Sequence, residues 1–306
     1  MVVVAADVGG TWIKAGVLGP DGPLHRARVA TERVDGHDAV VATILDTIDQ
    51  LVGVARTHGT VEAVGLAVPG IVDEDAGVIH WSAAFDWHEL PLRDLVAERT
   101  GLRVAFGHDV RTGGVAEAVL GAGRGYASAF VVPIGTGLAL AHVVDGQALA
   151  GAAWSAGEIG QMSVAASFGE GMKLEHIASG WSLARRFEAR KGAPPDSTTG
   201  ADVLAGAASG SQDAIAVLDD AVVALADILA VAVTVCDPGV VIIGGGVSLA
   251  GEAFLRPFRK RLADSLGWRE PPPVVAARFG DEAGWLGAAL LAWRAAGHDD
   301  ATFPAP

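Results

Sequence analysis

Two related α/β lobes are the fold that this sequence predicts. Length is the first reason: 306 residues amount to roughly two domains at about 150 residues each. The second is a repeated order of elements. A strand, a glycine-rich turn, a returning strand and then helices begin near residue 1, and the same series begins again near residue 126. The third is composition, with 51% hydrophobic against 19% charged residues, which supplies a large core and excludes a disordered chain.

Val2–Ala6 reads as a β-branched strand closed by Asp7-Val8-Gly9-Gly10. Trp12–Leu18 follows as a second strand, and Gly19-Pro20-Asp21-Gly22 turns the chain into a third, Leu24–Thr31. From Asp38 to Ala55 the residues Val41, Ile44, Leu45, Ile48, Leu51 and Val52 recur at helical spacing. Val61–Val68 is a buried strand ending at Pro69-Gly70, then come a helix over Leu92–Thr100, a strand over Val104–Gly107 and a helix over Thr112–Leu120. In the second series Ala127–Ile134 is a strand stopped by Gly135-Thr136-Gly137, and Leu138–Val144 returns beside it. Helices are expected at Leu174–Lys191, Gly200–Gly206 and Gln212 to about Thr234, with a surface loop over Gly192–Thr199. The strand Val240–Ile243 ends in Gly244-Gly245-Gly246. A helix over Glu252–Ser265, a strand over Val274–Ala277 and a last helix over Ala283–Ala296 complete the series, and His298–Pro306 is expected to fray. The lobes are expected at 1–118 plus 283–306 and at 119–282, with a ligand cleft between them.

Charge and cysteine content narrow the function. The net charge, 22 − 36 = −14, disfavours a nucleic-acid partner, because phosphate backbones are bound by Lys and Arg. Cys236 is the single cysteine, which excludes an internal disulfide and a zinc site of several thiolates. The N-terminal stretch has no basic flank and meets Asp7, unlike a secretory signal. Ala221–Cys236 contains Asp227 and is short for a membrane span. A cytoplasmic protein with no membrane partner is expected.

The glycine turns carry the chemistry. Gly9 and Gly10 can bring backbone N–H groups close to an anion. Thr11 adds a hydroxyl, Lys14 a positive charge, and Asp7 a carboxylate able to hold hydrated Mg²⁺. Gly135-Thr136-Gly137 repeats this at the start of the second lobe. Gly244-Gly245-Gly246 follows a buried strand and lets a ring or a phosphate lie on bare backbone. No G-x-x-x-x-G-K-[ST] and no complete G-x-G-x-x-G is present, which sets aside the P-loop and Rossmann readings.

Six ordered motifs together resemble the ROK family of sugar kinases in the actin-like ATPase superfamily. Asp7–Lys14 resembles its first phosphate loop. Gly65-Leu-Ala-Val-Pro-Gly70 with Val72-Asp73 resembles its G-x-x-x-P-G-x-V-D segment, and Gly135–Gly137 its second phosphate loop. Ala156-Gly157-Glu158-Ile159-Gly160 resembles A-G-E-I-G, Leu174-Glu175 with Ala178-Ser179-Gly180 resembles L-E-x-x-x-S-G, and Gly244–Gly246 resembles the adenosine turn. The resemblance implies an actin-like (ribonuclease H-like) fold of two lobes with the active site in the cleft. It also implies a homodimer and transfer of phosphate from ATP with Mg²⁺ to a hexose or amino-hexose. It makes Asp109 the general base for the sugar 6-hydroxyl, places Gly70, Ala84, His108 and Gln161 among the sugar-binding positions, and has Glu158 and Glu175 accept sugar hydroxyls. ROK repressors carry a winged-helix domain ahead of the first phosphate strand. That strand begins here at Val2, so a repressor is not expected.

Departures from the family pattern bear on metal and substrate. Gln161 stands where the family has a zinc-binding His, and Ala165–Lys173 has no cysteine where the family has three, so no zinc site is expected. Ala84 and His108 stand where the family has asparagines near the sugar 3-hydroxyl. A changed 3-position beside an anionic set, Asp109, Glu158 and Glu175, suits a sugar bearing an ammonium group such as 3-amino-3-deoxy-glucose (kanosamine), with glucose the conservative choice. The rival readings are a polyphosphate-dependent kinase, which the shortage of basic residues disfavours, and a non-catalytic sugar sensor, which the retention of Asp7, Lys14 and Asp109 disfavours.

Overall fold

A computed structural model describes residues 1–31 and 36–305 of the chain. The chain divides into two compact units. The first comprises Met1–Ala116, Ala150–Ser155 and Glu282–Pro306, and the second comprises Glu117–Leu149 and Ala156–Asp281. Ala150–Ser155 packs with the first unit, although the sequence division assigns it to the second lobe.

In the first unit β1 (Val2–Val8), β2 (Trp12–Gly19) and β3 (Gly22–Ala30) form an antiparallel meander. After α1 (His37–His58), β4 (Val61–Val68) pairs parallel with β1. A separate three-stranded sheet follows, made of β5 (Ile71–Asp73), β6 (Val78–Ser82) and β7 (Trp87–Leu90). Then come α2 (Leu92–Thr100), β8 (Arg103–His108), parallel to β4, and α3 (Asp109–Val119). The main sheet has the order β3-β2-β1-β4-β8. Its central strands read as continuous apolar runs because helices cover both faces. Val4, Ala6 and Val8 pack with Val40, Ile44 and Ile48 of α1.

The second unit repeats this order with shorter strands. β9 (Ser128–Pro133), β10 (Ala141–Val144) and β11 (Gln147–Ala148) form the hairpin side. Four helices follow, α4 (Glu175–Ala178), α5 (Gly180–Lys191), α6 (Gly200–Ala208) and α7 (Gln212–Cys236). β12 (Val240–Gly244) pairs parallel with β9, and after α8 (Glu252–Ser265), β13 (Val274–Ala276) pairs parallel with β12. The order is β11-β10-β9-β12-β13. α7 stops where Asp237 adopts a left-handed conformation (φ 47°) ahead of Pro238, which cannot continue a helix.

The chain returns to the first unit with α9 (Ala283–Ala295), which packs on β1, β4 and β8. The approach is backbone-close. A Cβ at Gly65 of β4 would strike the Ala288 carbonyl oxygen, and one at Gly287 would strike the Thr112 carbonyl oxygen.

Four expectations change. The helix expected over Leu174–Lys191 is broken at Ser179, which is extended (ψ 154°) and whose hydroxyl caps α5 by accepting the Ser182 N–H at 3.2 Å. The strand expected from Leu138 begins at Ala141, Leu138 making only an isolated bridge to Ile134. The helix expected from Thr112 begins at Asp109. The tail is anchored rather than frayed: Trp293 Nε1 donates to the Asp299 carbonyl (3.2 Å), Arg294 pairs with Asp300 (2.7 Å), and buried Phe303 packs edge-on to Trp293. Pro306 of that expectation lies outside the described residues. Among the described residues no helix is long and apolar enough to cross a membrane.

Candidate active site

The parallel strands β1, β4 and β8 end on one edge of the first unit's sheet, the edge where open α/β sheets bind ligands. That edge brings Asp7, Gly70, His108 and Asp109 together in sequence-distant register, with Asp7 opposite Ala67 and Val68 opposite His108. Asp7 also faces Lys14 across the β1–β2 hairpin. The turn between them is closed by the Gly9 N–H donating to the Trp12 carbonyl at 3.0 Å. Buried Thr31 pins the turn from β3, its hydroxyl donating to the Gly9 carbonyl at 2.8 Å. Thr11 is exposed and Gly9, Gly10 and Lys14 are half-buried, so this loop can meet a ligand.

The Asp7 carboxyl lies where a side chain of Gly284, in the first turn of α9, would have to be. Burial pushes its pKa up to about 7, with Asp109 adding to the rise, Lys14 opposing it and Glu282 adding again. An enclosed carboxylate beside a second one is a group that a cation would hold ionised. Mg²⁺ commonly takes one or two carboxylates plus phosphate oxygens and waters, so Asp7 fits the role of its protein ligand. Among the described residues no group of three or more His, Cys, Asp and Glu side chains is arranged to hold a metal by itself.

Asp109 opens α3, and its Oδ1 accepts the Val110 N–H at 2.8 Å and lies 3.2 Å from His108 Nε2. Behind it runs a buried network. Glu74 Oε1 accepts the His108 N–H (3.0 Å) and the Arg111 Nε–H (2.9 Å), while Arg111 also donates to the carbonyls of Val72 and Trp154, each at 3.1 Å. Burial lowers the His108 pKa; Asp109 opposes this and Arg111 reinforces it. Burial therefore favours the uncharged form of the imidazole. Gly70 has φ 131°, and a Cβ there would run into the Trp81 carbonyl, so the turn after β4 requires glycine on packing grounds alone. Ala84 sits half-buried in the turn between β6 and β7, against the core of this unit.

In the second unit the two remaining glycine turns are bonded to one residue. Ile134 donates its N–H to the Gly244 carbonyl (3.0 Å) and accepts the Val247 N–H (3.2 Å), which sets Gly135–Gly137 beside Gly244–Gly246. Gly245 has φ 71° and packs on the Ile134 backbone. Gly135 bonds Gly137 across its own turn (3.0 Å), and the Gly180 N–H donates to the Gly135 carbonyl (2.7 Å). The break at Ser179 thus aims the start of α5 at this turn. Glu175 Oε2 accepts the Leu138 N–H at 3.1 Å, leaving Oε1 for another donor. Gly157 (φ 92°) packs on the Leu140 carbonyl and Gly160 on the Leu138 carbonyl, which fixes the segment carrying Glu158 against the stretch between the turn and β10. Gln161 is exposed and accepts from Lys173 Nζ at 2.6 Å.

The sequence model of the ROK family matches residues 3–295. The chain belongs to the ROK family. Among its ROK relatives, the glucokinase of Thermotoga maritima is 30% identical over 310 residues, covering 94% of this chain and 96% of that protein. A ROK hexokinase from Thermus thermophilus superposes with a TM-score of 0.81 at 30% identity, covering 96% of this chain and 98% of that one. A ROK family glucokinase from Streptomyces griseus, solved with glucose and AMPPNP, gives 0.82 at 29% identity, covering 96% and 100%. The fold is accordingly the two-lobed actin-like α/β fold. Sequence reasoning passed over four residues of this ROK site: Thr31, Glu74, Arg111 and Gly284. Only Gly284 left a signal, a glycine three residues before Gly287 in a helix that otherwise favours alanine and leucine.

Proposed function

We propose that the chain is an ATP-dependent sugar kinase that transfers the γ-phosphoryl group of Mg-ATP to the 6-hydroxyl of a hexose or amino-hexose. The observation that carries this reading is the placement of Asp7, Lys14 and Asp109 at one edge of the first unit's mixed sheet, in a chain whose relatives include glucokinases. Phosphoryl transfer asks a protein for positioning and charge stabilisation more than for covalent chemistry. Asp109 accepts the proton of the attacking hydroxyl. Gly9, Gly10, Thr11 and Lys14 hold phosphate oxygens, as do Gly135, Thr136 and Gly137. Gly244, Gly245 and Gly246 receive the adenosine. Glu158 and Glu175 accept sugar hydroxyls, a carboxylate being able to take two donors. Asp7 would hold Mg²⁺, which when bound would neutralise charge on the phosphates.

The amino-hexose part rests on Ala84 and His108 and on the three carboxylates assigned to the sugar. The test is a kinase assay with ATP or polyphosphate as donor over kanosamine, glucose, glucosamine and N-acetylmannosamine, the phosphorylated carbon being read by NMR. A glucose kcat/KM at least about tenfold above the others removes the amino-sugar preference. Absence of turnover with every sugar overturns the kinase reading.

A further inference from the structure

We propose that His108 is a positioning residue for Asp109: its Nε2–H donates to Oδ1 and thereby leaves Oδ2 as the oxygen that takes the proton of the substrate hydroxyl. The inference rests on the reading of Asp109 as the base and adds to it how the carboxylate is aimed.

Two hydrogen bonds and one close approach carry the argument. The Arg111 backbone N–H points at His108 Nδ1 at 3.4 Å. A backbone N–H can only donate, so Nδ1 accepts and carries no proton. The neutral ring must then hold its proton on Nε2, and Nε2 stands 3.2 Å from Asp109 Oδ1. The same Oδ1 accepts the Val110 N–H at 2.8 Å. With the Nε2 proton on it as well, Oδ1 would take two donors, which would fix the carboxylate's rotation and leave Oδ2 for the substrate.

Exposure divides the two residues in the same sense. The His108 side chain is 7% exposed and that of Asp109 31%. The imidazole is thus sealed behind the carboxylate, while the carboxylate reaches solvent. The ring itself is held by the network behind it. Glu74 Oε1 binds the His108 N–H and the Arg111 Nε–H, and Arg111 is clamped to two carbonyls. Burial disfavours the charged ring, which agrees with an Nδ1 that accepts the Arg111 N–H and with a ring that acts as a fixed donor. A base held within a fraction of an ångström of its productive position accounts for a large part of the rate, since about 1 Å of misplacement costs on the order of a hundredfold.

The experiment compares His108→Met, which keeps bulk without a donor, with His108→Gln, whose amide nitrogen can reach the position of Nε2. In His108→Met kcat falls by about 10- to 100-fold with the sugar KM within about threefold of wild type. In His108→Gln kcat returns to within about fivefold of wild type. A sugar KM raised by about tenfold or more with kcat kept would make His108 a sugar ligand and overturn the proposal, as would a Gln variant as slow as the Met variant. Independently of any variant's folding, 15N NMR of the intact wild-type protein reads the tautomer: a pyrrole-type Nε2 and pyridine-type Nδ1 are expected, and the opposite pattern or an imidazolium at pH 8 overturns the proposal. Asp109→Asn run in parallel separates the two readings, because unchanged turnover there would remove Asp109 as the base whatever His108 does.

Discussion

The two sheets share one strand order but differ in what stands after their first strand. β1 carries Asp7 next to its last residue, Val8, with Lys14 across the hairpin, whereas β9 closes on Pro133 and continues into Ile134 and Gly135 with no ionisable group. The first hairpin is therefore a charged device, able to bind a cation and an anion together, and the second is a neutral one that offers backbone N–H groups. A repeated topology fixes where a turn comes, and the one or two side chains at that turn fix what it can do. The acid–base chemistry proposed for Asp109 would accordingly belong to the first unit.

That contrast can be broken most sharply at Asp109. Asp109→Asn should leave the fold and sugar binding intact and lower turnover by roughly 10²–10⁴; near-wild-type turnover would place the base elsewhere. Glycine substitutions in the two units come next. Gly284→Ala puts a Cβ on the Asp7 carboxyl and should destabilise by about 1–3 kcal/mol, as overpacking does, read as a lower denaturant midpoint. Gly135→Ala, where a Cβ meets open space, should leave stability within about 0.5 kcal/mol. Equal effects in the two variants would dissolve the distinction between an enclosed carboxylate and an open turn.

A smaller effect concerns pH. The Asp7 pKa rises from 3.8 to about 7 on folding, so between those values the folded chain binds more protons at this group than the unfolded one. Stability from Asp7 is then present in full below pH 4 and is lost as pH rises towards 7. In metal-free protein the Asp7→Asn variant should lose that decline, as measured by denaturant melts across the window, and an unchanged slope would contradict it. The smallest expected effect is none: a zinc-selective chelator should leave activity intact when Mg²⁺ is supplied, and one equivalent of tightly bound zinc in purified protein would sink this.

Much of the fold was legible because β-branched runs and glycine turns are local signals. The order of β1, β2, β4 and β8 could be followed from Val2, Trp12, Val61 and Val104 onward. What stayed hidden depends on partners remote in sequence. Ser179 looks helical by its neighbours, and only the Gly135 carbonyl explains why the chain breaks there. Arg111 precedes the helix expected from Thr112 and carries no motif, yet it is buried because Glu74 and two carbonyls converge on it. The short strands of the β5–β7 sheet give too few residues for a period to show. The tail looked polar and loose, and it is the Arg294–Asp300 pair and the Trp293 indole that hold it.

The late arrival of α9 has a consequence for biosynthesis. The sheet of the first unit is fully translated by residue 108, but α9, which packs on β1 and β4 with Ala288 and Ala292 against Gly65, is made only after residue 282. Between residues 116 and 282 the ribosome adds 282 − 116 = 166 residues, which takes roughly 8–33 s at about 5–20 residues per second. For that interval the nascent chain exposes an apolar sheet face whose cover has not been made. Any stalled or truncated product lacking the last helix would present that face permanently, a natural target for chaperones and for quality-control proteases.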